Sequence, residues 1–103
     1  MVNRELERRV TNIYNDLVAA YENDELREYI DRQVEGNYEI VLDSAFEFKS
    51  SFLFFNYTPN ITLDTQSQNL EANWGDDYYS VSIDSDICDE IDNYFAERYE
   101  EFR

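Results

Sequence analysis

The carboxylates of the C-terminal segment SDICDEIDNYFAERYEEFR are spaced to gather on one side of a helix. At about 100° per residue, Asp86, Asp89, Glu90, Glu97, Glu100 and Glu101 fall within roughly 60° of one line, interrupted by Asn93. Carboxylates held together in this way can do three kinds of chemistry. They can pair as acid and base across a glycosidic bond, hold two divalent metals, or present an array of negative charge to a basic surface. The first two need a few acids singled out from the rest. With 24 acidic side chains, chance proximity is expected instead, and no Gly-rich phosphate loop, HExxH motif or nucleophile elbow accompanies them. Asp84, Asp86 and Glu90 in IDSDICDEID resemble a calcium loop in spacing, yet the glycine that such a loop requires is missing and an apolar helical pattern runs through the same residues.

The residue types present narrow the chemistry further. There is no histidine, which removes Ser-His and Cys-His nucleophilic catalysis, histidine-ligated metals and histidine pH switching. Cys88 is the single cysteine, so an intrachain disulfide and a cysteine-based zinc cluster are excluded. It borders an apolar helix face and reads as a packed small hydrophobe. The expectation is a non-enzymatic protein with no catalytic residue, bound metal or cofactor.

The third chemistry suits the charge. Like charges at i,i+4 cost a few tenths of a kcal/mol per pair, so the row opposes helix formation except in the first turn, where Asp86 and Asp89 favour the dipole. From Asp86 to Glu101 a helix rises about 22 Å, over which one DNA strand presents roughly six or seven phosphates. Residues 1–63 hold 12 acids and 6 bases, whereas residues 64–103 hold 12 acids and 2 bases. A second row, Asp24, Glu28, Asp31 and Glu35, has Arg27 and Arg32 beside it, so an unneutralised row is expected only at the C-terminus.

An apolar anchor for the same partner is expected in NWGDDYY, where Trp74, Tyr78 and Tyr79 accompany Asp76 and Asp77; Trp and Tyr dominate binding hot spots. A Trp74 in the core or at a sheet edge is the competing reading. Base stacking by these rings is excluded by the lack of a basic groove. A net charge of −16 repels nucleic acid and anionic membranes and favours a basic protein partner. MVNRELERRV has no apolar signal core and no run approaches a membrane span, so a cytoplasmic protein is expected.

The elements that must position these residues follow from period. The 103 residues suffice for one domain, 1–103, and 43% hydrophobic content with 17% aromatics argues for a core despite the charge. Leu6, Val10, Ile13, Leu17 and Tyr21 predict a helix over residues 3–22. Asn23 reads as the N-cap of a second helix carrying Leu26, Ile30 and Val34 and ended by Gly36, although the two also read as one bent helix. YEIVLD and AFEFKSSFLFFNYT predict strands, the second with Phe46, Phe48, Phe52 and Phe54 on one face. Both faces are apolar from Leu53 to Phe55, which suggests a strand covered on two sides, by helices and a neighbouring segment or by a second copy in a homodimer. NITLD reads as a further strand, QSQNLEANWGDD as a polar connection with room for a short pairing segment, and DYYSVSID as a strand with Tyr79, Val81 and Ile83 inward. Asp84 or Ser85 caps a final helix whose buried stripe is Ile87, Ile91, Phe95 and Phe102, flanked by Cys88, Tyr94 and Tyr99. The order predicts an α+β fold: N-terminal helices, an antiparallel sheet of three to four strands and a C-terminal amphipathic acidic helix.

A short, aromatic-rich, strongly acidic single domain resembles, in composition, the class of small phage-encoded DNA mimics and anti-CRISPR inhibitors. That resemblance implies an inhibitor that occupies a nucleic-acid-binding surface, on a CRISPR effector or another host defence or DNA-processing enzyme. The alternatives are an immunity protein or antitoxin that neutralises a basic nuclease toxin by the same physics, and an acidic structural adaptor.

Overall fold

A computed structural model describes residues 3–34, 36–57 and 59–102, with Tyr57 and Phe102 described in backbone only. The elements are α1 (Arg4–Glu22), α2 (Leu26–Val34), β1 (Tyr38–Leu42), β2 (Phe48–Tyr57), β3 (Asn60–Asp64), β4 (Asn69–Trp74), β5 (Asp77–Ser82) and α3 (Ser85–Phe102). The fold is α+β as expected, but the sheet has five strands, in the order β1-β2-β3-β4-β5 and antiparallel throughout. The additional strand is β4, from the segment read as a polar connection. Its two buried residues, Leu70 and Ala72, are separated by Glu71 and flanked by Asn69 and Asn73, so its period-2 signal rests on a small side chain and is easily lost among polar neighbours.

All three helices lie on one face of this meander. The strand register aligns Tyr38, Leu53, Leu63, Leu70 and Val81 across the sheet on the covered face. These meet Leu6, Val10 and Leu17 of α1, Leu26, Tyr29, Ile30 and Val34 of α2, and Ile87, Ile91 and Phe95 of α3 in one hydrophobic core. α1 packs on β4 and β5, α3 packs on β2, and α2 lies against both helices and β2. Tyr38 and Phe95 stack at 4.5 Å, which fixes the first strand to the last helix.

Two local expectations are corrected. Asn23 is the C-cap of α1, its N–H bonded to the Ala19 carbonyl, and Asp24 reverses the chain at φ 57; α2 then starts with the Tyr29 N–H bonded to Glu25 O. The two helices are therefore separate. The Phe series of β2 does not share one face: Phe46 is in the preceding turn, Phe48 packs on the core, and Phe52 and Phe54 lie on the open face. The cause is a bulge, since Val41 pairs with Ser50 but Leu42 with Phe48, and the extra residue Lys49 reverses the alternation. Among the described residues this chain's own segments cover β2 on one side, so the alternative of cover by helices and a neighbouring segment is not met. Leu53 and Phe55 face the helices, while Phe52 and Phe54 pack edge to face at 5.1 Å on the uncovered side, each half-buried.

Candidate partner-binding surface

α3 carries the predicted row on its solvent side because Ile87, Cys88, Ile91 and Phe95 are directed into the core; the side chain of Phe102, the last of the expected stripe, lies outside the described residues. Asp86, Asp89, Glu97, Glu100 and Glu101 are exposed and Glu90 is half-buried, whereas Ile87, Cys88, Ile91 and Phe95 are each 1% exposed. The row is not unneutralised. Arg27 reaches across from α2, donating from Nε to Glu90 Oε1 at 2.9 Å and from Nη1 to Glu97 Oε2 at 2.6 Å, with its guanidinium 5.3 Å from the Tyr94 ring. These two carboxylates hold the guanidinium proton more tightly than usual. Alongside, Tyr94 OH and Arg98 both donate to Asp31 of α2, and the Arg98 guanidinium lies 5.6 Å from the Tyr94 ring. Helical spacing showed Arg27 beside its own row on α2; only the packing of α2 on α3 turned it onto the C-terminal one.

Asp92, outside the predicted row, points inward. The hydroxyls of Ser51 and Thr65 donate to its Oδ1 at 2.9 and 2.7 Å, tying α3 to β2 and to the residue after β3. Burial raises its pKa, partly opposed by these two hydrogen bonds and assisted by the charges of Asp89 and Asp64. Its place four residues after Cys88 and three before Phe95 was the available signal, because those positions border the apolar stripe. Cys88 is fully packed beneath the helix, and burial together with the neighbouring acids pushes its thiol up to about 12. That is the wrong direction for a nucleophile. Among the described residues no group of three or more acids and cysteines could hold a metal ion, and no helix is long and apolar enough to cross a membrane.

The β4–β5 hairpin stands apart from α3. Strand directions put residues 74–77 at one end of the sheet, with the β2–β3 turn. α3 begins at the opposite end, beyond Ser82, and its Tyr99 reaches the β1–β2 turn at that same opposite end. The predicted aromatic anchor and the predicted acidic row are therefore not brought together. Nor do the members of the anchor share a surface. Tyr79 faces the helices and packs on the core, while Tyr78 is 56% exposed on the open face. Trp74 is 37% exposed and has Arg9 of α1 at 5.8 Å from its ring. Asp77 accepts from Asn3 Nδ2 at 2.8 Å, and the same Asn3 caps α1 by accepting from the Leu6 N–H. Asp76 remains exposed at the tip.

A different aromatic accompanies α3. Phe46, at the tip of the β1–β2 hairpin, is 73% exposed, and its carbonyl accepts from Tyr99 OH at 2.7 Å. The surface that the fold assembles is thus α3 with its exposed acids, the α2 residues that bridge to it, and the β1–β2 tip. Among the described residues it offers charge and the protruding ring of Phe46. No protein-family model, curated protein or solved structure matches the chain.

Proposed function

We propose that the protein is a non-enzymatic inhibitor that occupies a basic nucleic-acid-binding surface of another protein, on a CRISPR effector or another host defence or DNA-processing enzyme. The observation that supports it best is the division of labour on α3. Its apolar side chains and Asp92 hold the helix to the sheet, so the exposed Asp86, Asp89 and Glu101 are not required for packing and are available to the Lys and Arg that otherwise hold phosphates. Charge of this sign steers association with basic partners and excludes direct nucleic-acid binding. The Arg27 bridge makes the array two clusters, one at each end of α3, rather than a continuous line.

The test is competition. Purified CRISPR effectors and DNA-processing enzymes are loaded with fluorescent DNA or guide RNA, and the protein is titrated in at several salt concentrations. Displacement should be strong at low salt and lost in the Asp89→Lys, Glu101→Lys double variant, whose circular-dichroism spectrum should match the wild type. Equal displacement by that variant would sink the reading for α3.

A further inference from the structure

Two unfavourable features coincide at Phe46. Its ring is 73% exposed, and its backbone sits at φ 62, a left-handed conformation that bulky residues rarely adopt and that glycine takes freely. The turn does not need the ring. Asp43 Oδ1 accepts from the N–H groups of Ala45 at 2.8 Å and Glu47 at 3.1 Å, and the Phe46 N–H donates to Asp43 O at 3.0 Å. Strain kept at an exposed, turn-irrelevant side chain points to a use outside the fold. The surroundings indicate what kind. Leu42 is 37% exposed beside it, Asp43 and Glu47 flank it, and the Tyr99 bond pins it to the end of α3 that exposes Glu100 and Glu101, against one base in the hairpin, Lys49.

We infer that the β1–β2 tip is the anchor of the acidic surface: Phe46 enters an apolar pocket on a protein partner, and Lys and Arg at the rim of that pocket pair with Asp43, Glu47 and Glu101. This rests on the inhibitor reading above and locates its hot spot. The partner is basic by charge complementarity. A second copy of this chain would set the same carboxylates against each other. A ring in a dry pocket surrounded by charge pairs is the arrangement that concentrates binding energy at interfaces.

The experiment uses two fluorescent helical peptides of equal length, one of Arg and Leu and one of Arg and Ser, with anisotropy titrations over a series of NaCl concentrations. The wild type should bind both, more weakly as salt rises, with the Arg-Leu peptide at least about tenfold tighter. Phe46→Gly should bring the Arg-Leu peptide down to the Arg-Ser level and leave the Arg-Ser peptide unchanged. Phe46→Trp should retain the difference. Because glycine suits φ 62, the Phe46→Gly protein should melt no lower than the wild type. A lower melting temperature would assign the ring to the fold and overturn the anchor. Salt-dependent binding of the Arg-Leu peptide untouched by Phe46→Gly would overturn the anchor alone, whereas no salt-dependent binding of either peptide would overturn the acidic-surface reading and the anchor with it.

Discussion

The β1–β2 and β4–β5 hairpins use the same left-handed residue in opposite ways. In the β4–β5 turn the position at φ 62 is Gly75, for which the conformation is free; in the β1–β2 turn it is Phe46, at φ 62 as well. Each turn also carries a large aromatic. Trp74 lies against α1 with Arg9 close to its ring and Asn3 bonded to Asp77 beside it, so that hairpin is part of the packing of the first helix. Among the described residues Phe46 is held through its backbone, by Asp43 and Tyr99, and its ring is largely exposed. A docked turn has backbone conformation, side chain and neighbours in agreement. A turn in which they disagree is one whose side chain serves something other than the fold.

That contrast can be broken by substitution. Trp74→Ala should lower stability by about 2 kcal/mol, below the ~3–5 kcal/mol of a fully buried aromatic because the ring is partly exposed, and leave binding of the Arg-Leu peptide intact. An unshifted urea midpoint would make the two hairpins alike. Gly75→Ala should lose about 1 kcal/mol from backbone strain alone, since an added Cβ meets nothing within 4 Å. Phe46→Gly should move the other way, gaining about 0.5 kcal/mol as relief of left-handed strain outweighs the added flexibility of the unfolded chain. A shift of the same sign in both variants would show that the turns do not differ.

Smaller effects sharpen the picture of α3. Arg27→Gln removes exposed ion pairs worth less than about 1 kcal/mol together, so urea unfolding should change little. It also releases Glu90 and Glu97, and the Arg-Ser peptide should bind more tightly at low salt; weaker binding would show that the bridged row is not part of the surface. For Asp92 the folded carboxyl titrates above its ordinary value of 3.8. The folded state therefore holds the proton more tightly than the unfolded chain, and the stability from this group, full below 3.8, is lost as pH rises through the folded value. Asp92→Asn keeps an oxygen for Ser51 and Thr65 without the buried charge. It should match or slightly exceed the wild type at pH 7 and fall much less in stability between mild acid and neutrality. A marked loss at pH 7 would instead require the ionised carboxylate.

The helices were legible because their signal is local. Leu6, Val10 and Leu17, and Ile87, Ile91 and Phe95, are buried on the faces that a period of 3.6 assigns to them, and the inward alternation of Tyr79, Val81 and Ile83 holds through β5 and the residue after it. β4 was hard to read because Ala72 carries so little apolar contrast, and the single-face reading of the β2 phenylalanines failed because one bulge at Lys49 reverses the alternation. A bulge depends on how the neighbouring strand pairs, which no window of β2 contains.

By itself the sequence determined the amphipathic helices, the α+β class, the burial of Cys88 and a surplus of acid, since each follows from composition or from the period of one segment. Only the tertiary structure decided which charges answer one another and which rings are outside. Arg27 meets Glu90 and Glu97 across 63 and 70 residues of chain, Asp92 reaches Ser51 across 41, and Tyr99 holds Phe46 across 53. Contacts between segments this far apart are set by helix packing and strand register, and side chains on the exposed faces leave no periodic mark from which such partners can be read.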